Sequence, residues 1–525
     1  MFPTPASSKL PQVDPFGARN VRRGMAHFLT GRAIQGLLSF AVMVLLARYM
    51  PVVEYAYYVT ATGAATLLGS LSKFGLDRVI TRYLPEGRTL GAVADLRAFL
   101  RIVRGLRLLA VAVLALALGA LWSWLAPLMN LLPNPGMFLA VAGFALSHAF
   151  TAFQRINLQS LMLQRGLRQA TTVLWTLRLA GVLVLVIAAG GIDVKQALWI
   201  ATLSECVGLV WMVRVERDLM RQLASQPPRG TVAAVWPSNW LAIRRFALQN
   251  YASQLAGLPS QGPALRVIGA VFLPPHMLAA YGFFQALAEN LRAYLPLQLM
   301  RTLFEPVALG RYAQDRDFAK LNAMVSTLYK LNLLVLLPFG AWFLVGGEGA
   351  VRALTGGKYA EDSWILAASV VPIALASHWA LLVILANAVG ASNRLVWGAL
   401  AGSLTVPVVL MAALPSWGVA SLILAAGAAA ALANLVVIDG IRRLGFAYAV
   451  DWRRIAQMAA FACLAGLVSW SGVTWSDQRH TLAGTVISAL LTTGVFLLAH
   501  LKWKAFSDIE RDLLGKLSGR FKIPF

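Results

Sequence analysis

The feature that most constrains this chain is a series of fourteen apolar runs, each about 20 residues long, starting near His27, Tyr55, Leu106, Met137, Gln169, Val194, Phe246, Met277, Ala323, Ser363, Leu395, Trp417, Ile455 and Leu482. A run of that length crosses the hydrocarbon of a bilayer as one helix. Turn signals separate the runs: Met50-Pro51, Pro133-Asn134-Pro135, Gly190-Gly191, Pro274-Pro275, Gly346-Gly347 and Pro415-Ser416. Over 525 residues, 58% are hydrophobic and only 13% charged. Soluble domains carry roughly 25% charged residues, so a soluble enzyme of this length is excluded. The fold expected is an all-α polytopic membrane protein of about 14 transmembrane helices.

The net charge of +24 is explained by topology rather than by nucleic acid. The two tails and alternate loops (78–107, 164–169, 214–245, 301–322, 391–394, 439–455) hold 34 Lys and Arg, and the opposite loops hold five: Arg48, Lys195, Arg352, Lys358 and Arg479. Positive loops stay on the cytoplasmic side, so both termini are expected there. Cys206 and Cys463 lie in apolar runs and suggest neither disulfide nor metal. No Walker A, His-Glu-x-x-His or Gly-x-Ser-x-Gly motif occurs. The outer loops are short, the longest about Gly346 to Asp362. A non-enzymatic role without cofactor is therefore expected, apart from H⁺ or Na⁺ coupling.

Seven basic residues remain within the spans: Arg32, Lys73, Arg155, Arg178, Arg266, Arg292 and Lys330. Lys73 and Arg155 lie near inner helix ends, where long side chains snorkel to water. Arg32, Arg178 and Lys330 lie five to ten residues in, and Arg266 and Arg292 deeper still by sequence position. Only two acids, Glu205 and Glu289, share these spans. An Arg at the helix centre costs about 3 kcal/mol by insertion scales. Two carboxylates do not balance the cations, so a hydrated cationic cavity is expected, suited to a phosphate that Arg grips with a two-pronged fork. Glu205 and Glu289 read as counter-ions for that cavity or, alternatively, as carboxylates that bind and release H⁺ or Na⁺. His148 and His378 read as packing histidines.

The seventh span is unusually polar, with Gln249, Asn250, Ser253, Gln254, Ser260, Gln261 and Arg266, and it is broken by Pro259, Gly262 and Pro263. A broken polar helix survives only inside protein or beside water, which puts it on a transport path; polar glue between packed helices is the other reading. Pro51-x5-Tyr57 and Pro275-x5-Tyr281 follow the first and seventh spans and suggest two six-helix halves. The expected organisation is a tail (1–26), a bundle (27–215), a linker (216–245), a second bundle (246–440), two further helices (455–501) and a basic amphipathic C-terminal helix (502–525). The last carries Phe506, Ile509, Leu513, Leu517 and Phe521 in helical spacing, suited to an anionic leaflet.

The stretch Leu45-Leu-Ala-Arg48-Tyr-Met-Pro-Val-Val-Glu54-Tyr-Ala-Tyr57, with Phe74-Gly-Leu-Asp77 and Arg82-Tyr-Leu-Pro-Glu86, resembles the opening of bacterial polysaccharide (Wzx-type) flippases. These belong to the multidrug/oligosaccharidyl-lipid/polysaccharide exporter superfamily. The resemblance implies a V-shaped pair of bundles that opens alternately to each side. The cargo it implies is an undecaprenyl-diphosphate-linked oligosaccharide, with membrane lipids, a polysaccharide polymerase and a chain-length regulator as partners. Arg32, Arg178, Arg266 and Arg292 are then candidates for the head group, and Asn250, Gln254 and Gln261 for sugar hydroxyls, on charge and position rather than on motif. Arg48 and Glu54, at the outer turn, and Asp77 and Arg82, at the inner end of the second span, are candidate gate residues. Rival readings are a lipid II flippase or drug exporter of the same superfamily, and a membrane glycan ligase or polymerase.

Overall fold

A computed structural model describes residues 18–90, 93–225, 240–475, 480–508 and 510–511. The described residues form seventeen α-helices and no strand. In chain order they are α1 (Ala18–Tyr49), α2 (Val52–Leu71), α3 (Leu76–Leu90), α4 (Val93–Leu128), α5 (Pro135–Ser160), α6 (Gln164–Ala189), α7 (Val194–Ala224), α8 (Trp240–Gly257), α9 (Gly262–Phe272), α10 (Pro275–Tyr294), α11 (Pro296–Asp315), α12 (Phe318–Thr355), α13 (Trp364–Ala388), α14 (Ser392–Trp417), α15 (Val419–Arg443), α16 (Trp452–Trp475) and α17 (Leu482–Lys502). Eleven are long and apolar enough to cross a membrane. With α2, α10 and the broken pair α8–α9 taken as one, the described helices at the positions of the expected spans number fourteen.

These three are not among the helices long and apolar enough to cross, and the contact pattern gives the reason. α2 packs on both α9 and α10, and α1 meets α10 and α12, so these helices face each other along a seam between two halves. A helix shielded from lipid by protein can carry polar groups. Small residues make the close fit possible: an added Cβ at Gly282 of α10 would lie 2.2 Å from Val59 Cγ2 of α2.

Each half repeats one contact plan. α1–α6, α2–α5, α5–α7 and α6–α7 in the first half correspond to α8–α14, α10–α13, α13–α15 and α14–α15 in the second. The repeat includes α3 and α11, which follow the second crossing of each half and pack on α4 and α5, or α12 and α13. Sequence reading placed both stretches in basic loops. α3 buries Leu76, Val79, Ile80 and Leu84, one helical stripe; at fifteen residues and with charges between, it was too short and polar to count as a span.

α16 and α17 pack on each other and on α12. Gly346-Gly347, expected to be a turn, lies instead inside the 38-residue α12. The glycines serve packing: a Cβ on Gly346 would meet Ser488 Oγ at 2.1 Å, and Thr485 Oγ1 donates to the Gly346 carbonyl at 3.0 Å. The C-terminal segment also departs from expectation. Ala505 and Phe506 are buried in the main core rather than lying on a membrane surface; Ile509, Leu513, Leu517 and Phe521 lie outside the described residues.

The tightest helix pair is α14–α15. Gly398 and Gly402 present their bare backbone to α15, where a Cβ would sit 2.9 Å from the Ala433 carbonyl and 2.6 Å from that of Ala429. Small residues four apart let membrane helices approach closely. Replacing Gly402 with Leu is expected to cost about 1–3 kcal/mol by overpacking, read as a lower midpoint of thermal unfolding in detergent.

Candidate functional site

The seam is bridged at both ends. At the end opposite the arginine-rich helix termini, Arg48 donates to the Ala353 carbonyl at 3.2 Å. Lys358 Nζ donates to the Arg48 and Met50 carbonyls at 2.7 and 2.8 Å. Tyr359 stacks on Phe283 and lies 5.9 Å from the Tyr55 ring centroid. Arg48 and Glu54, candidates to pair here, do not: Glu54 instead accepts from the Val194 backbone N–H at 3.0 Å. Glu54 lies in the first turn of α2, and that placement carries it to the start of α7. Lys358 and Tyr359 were missed in the sequence; their signal was a lysine and a tyrosine in the longest outer loop.

At the basic end, α8 leans on the α2–α3 turn. The Phe74 and Tyr251 rings stack at 4.8 Å. Tyr251 donates to the Leu71 carbonyl at 2.7 Å and Gln254 to that of Ser70 at 3.0 Å. Arg82 lies over the Phe246 ring at 5.1 Å, and Asp77 pairs with Lys73 at 3.3 Å. Beside them, Tyr294 donates to the Arg32 carbonyl at 2.5 Å and Ser39 to Asn290 at 3.3 Å. Of the candidates for sugar contact, Gln254 is thus engaged with a backbone carbonyl here. Asn250 likewise bonds back along its own helix to the Phe246 carbonyl. Arg292, expected deep in its span, stands in the last turn of α10 and is exposed at this mouth, because the helix ends at Tyr294.

Between the two ends lies a charged cluster. The α8–α9 break, with a 3-10 turn at Leu258–Ser260, falls where Pro259, Gly262 and Pro263 require it. It leaves Gln261 exposed and aims Arg266 at α10. Arg266 donates to Gln285 at 2.5 Å and to Glu289 at 2.8 Å. Gly262 lies against the same two side chains, and Arg266 Cβ lies against Gly63 of α2. The Glu289 side chain is 53% exposed while that of Arg266 is 12% exposed. Glu289 shares a stripe with Gly282 and Gln285, and Gly282 faces α2, so this exposed carboxylate opens into the seam.

The first half supplies a second, buried cluster. Arg178 donates to Ser204 at 3.1 Å and Glu205 at 3.1 Å and lies over the Trp175 ring at 4.6 Å. His148 lies 3.3 Å from the same carboxylate. Arg155 acts on that carboxylate too, yet its buried Nε has no hydrogen-bond partner. Around Glu205, then, two arginines and a histidine share one acid. Arg178, Arg266 and Glu205 all act electrostatically on the Tyr58 hydroxyl of α2.

Two other cations are held by groups the sequence did not point to. Lys330, five to ten residues into its span by sequence, is buried and bonds Asp451 and Glu510, each at 3.0 Å. Arg107, assigned to a loop by sequence, is 1% exposed inside α4, because that helix begins at Val93 rather than Leu106. It donates to the Gly69 and Ala149 carbonyls at 3.1 and 3.3 Å. His378 bonds Tyr448 at 2.5 Å. No cluster of metal-ligating side chains occurs among the described residues.

The fold is shared with known transporters. A lipid II flippase, MurJ, in an inward closed conformation matches with a TM-score of 0.61 at 10% identity, covering 94% of this chain and 100% of that one. An inward-facing multidrug resistance transporter of the MATE family, in the MOP superfamily, matches at 0.54 and 14% identity, covering 80% of this chain and 98% of that one. No known family's sequence profile matches the chain, and neither does any curated protein. At these identities the likeness is one of fold.

Proposed function

We propose that this chain is a non-enzymatic flippase that carries an anionic, diphosphate-linked glycolipid across the membrane by alternately opening the two ends of the seam. The cargo that fits best is an undecaprenyl-diphosphate-linked oligosaccharide on its way to surface polysaccharide, with a Wzx-type transporter's role. The basic end is cytoplasmic on the positive-inside argument, so cargo enters past Arg32 and Arg292 and leaves past Arg48 and Lys358.

The observation that carries the proposal is the Arg266–Glu289 pair in the seam. A cation held by one half-exposed acid, with more arginine than carboxylate behind it, can exchange that acid for a phosphate at little desolvation cost. Arg178 is buried on its own carboxylate and reaches a head group only when the seam opens. The lipid tail stays in the bilayer while the sugar passes through the polar seam. A second reading, flipping of a peptidoglycan precursor, is favoured by the full-length likeness to a lipid II flippase and uses the same diphosphate chemistry.

The test is flipping of a fluorescent lipid-linked oligosaccharide in proteoliposomes, beside lipid II. Arg266→Gln and Arg178→Gln are expected to slow transport at least about tenfold, the order of one lost charge-assisted contact, with normal insertion; wild-type rates in both variants would overturn the reading. Coupling to H⁺ or Na⁺ through Glu205 or Glu289 predicts that collapsing both gradients stops net transport. Unchanged transport removes that role.

A further inference from the structure

We infer that the first half carries a separate binding site for the phosphate head group of an anionic lipid, on its outer flank between α4 and α7. A cavity of about 580 Å³ opens there, lined by Arg97, Arg101 and Arg104 of α4 and by Glu216, Arg217 and Arg221 of α7. Five arginines thus face one acid, and that acid is already engaged. Glu216 is buried, paired with Arg104 and hydrogen-bonded by Gln154. Arg97 is tied to the Met220 carbonyl at 3.1 Å. Arg101, Arg217 and Arg221 remain exposed, with a 3.5 Å surface contact between Arg221 and Asp218 as their one ion pair among the described residues.

The level of this cavity in the membrane identifies its ligand. On α4 the charges stop at Arg107, and residues 108–128 are uncharged, which at 1.5 Å per residue is about one hydrocarbon thickness. On α7 the uncharged stretch that follows Glu205 ends at Arg214. Both helices therefore set their arginines at head-group depth. The wall changes character at the same place: Gly105 leaves open space where a side chain would stand. Leu108, which also lines the cavity, is 56% exposed, and Leu109 beyond it 63% exposed, on a surface fit for acyl chains. A diffusible anion needs only the arginines; a lipid uses the arginines and the leucines together. Basic pockets at helix ends on the positive face hold anionic lipid head groups by this combination.

The site is distinct from the seam: none of its lining residues belongs to α1, α2, α9 or α10. Its test uses the full chain in mild detergent, with native mass spectrometry to count bound lipid. Cardiolipin, phosphatidylglycerol and phosphatidylcholine are titrated in turn, with inorganic phosphate as competitor. The expected result is retention of cardiolipin or phosphatidylglycerol over phosphatidylcholine, undisturbed by millimolar phosphate. The triple variant R101Q/R217Q/R221Q is expected to weaken retention at least about tenfold, since each basic residue at a membrane surface contributes on the order of 1 kcal/mol. Gly105→Trp, which fills the cavity without changing charge, is expected to do the same. Equal retention of phosphatidylcholine, or full displacement by phosphate, overturns the lipid assignment. Wild-type retention in a triple variant of normal thermal stability overturns the site.

Discussion

Lys330→Ala is expected to destabilise the protein by about 3–5 kcal/mol, the cost of removing one partner from a buried ion pair. The ammonium is wholly buried and satisfies two carboxylates from distant parts of the chain, Asp451 before α16 and Glu510 beyond α17. Glu510 is itself buried and accepts from the Ser507 backbone N–H at 2.8 Å. Without Lys330 its negative charge stays enclosed with one neutral donor among the described residues. The expected readout is an early-melting C-terminal segment, seen as protease cleavage near Lys504 well before global unfolding. Lys330→Met combined with Glu510→Gln is expected to recover most of the loss, because the two charges then leave together. If Lys330→Ala matches wild type in both assays, the triad contributes nothing to holding α16 and α17.

The same triad gives a pH dependence with a definite sign. Burial pushes the Asp451 carboxyl up, but the Lys330 hydrogen bond, the Arg454 backbone N–H and both cations together bring it below the ordinary aspartate value of 3.8. A depressed acid contributes stability that is present above the ordinary value and lost as pH falls through the lower, folded-state value. The C-terminal attachment should therefore be unchanged at neutral pH and loosen below about pH 4.

Gly75→Val is expected to open the basic end of the seam. Gly75 sits in the α2–α3 turn with φ of +72°, and an added Cβ would lie 2.0 Å from the Ala247 carbonyl of α8. Glycine is needed twice here, for the left-handed backbone and for the contact between halves. The wedge acts only when α8 rests on the turn, so it penalises the closed basic end by about 1–3 kcal/mol. That shifts the closed-to-open ratio roughly five- to 150-fold. With Cys206 and Cys463 removed, cysteines at Phe74 and Tyr251, whose rings now stack, should cross-link in the parent and fail to in the Gly75→Val background. Persistent cross-linking would show that this contact is not a moving gate.

The sequence was legible wherever the governing interaction is local. Hydropathy over 20 residues is set by the membrane, so the long apolar helices and the break at Pro259–Pro263 followed from the chain alone. It was less legible where a segment's neighbours decide its state. α3 and α11 looked like charged loops because their apolar stripes are narrow, and Gly346-Gly347 looked like a turn because nothing in the sequence reveals that α17 lies against it.

What the amino-acid order determined by itself, then, was where the long apolar helices run, since every crossing must satisfy its own backbone hydrogen bonds in hydrocarbon. Only the tertiary structure decided which charges meet. Arg266 takes Glu289 23 residues away, whereas Lys330 takes Asp451 and Glu510 at 121 and 180. Arg107 is held by two carbonyls and Arg178 by an acid of the next helix. Charge pairing acts through space over a few ångströms, and sequence separation carries almost no information about that distance.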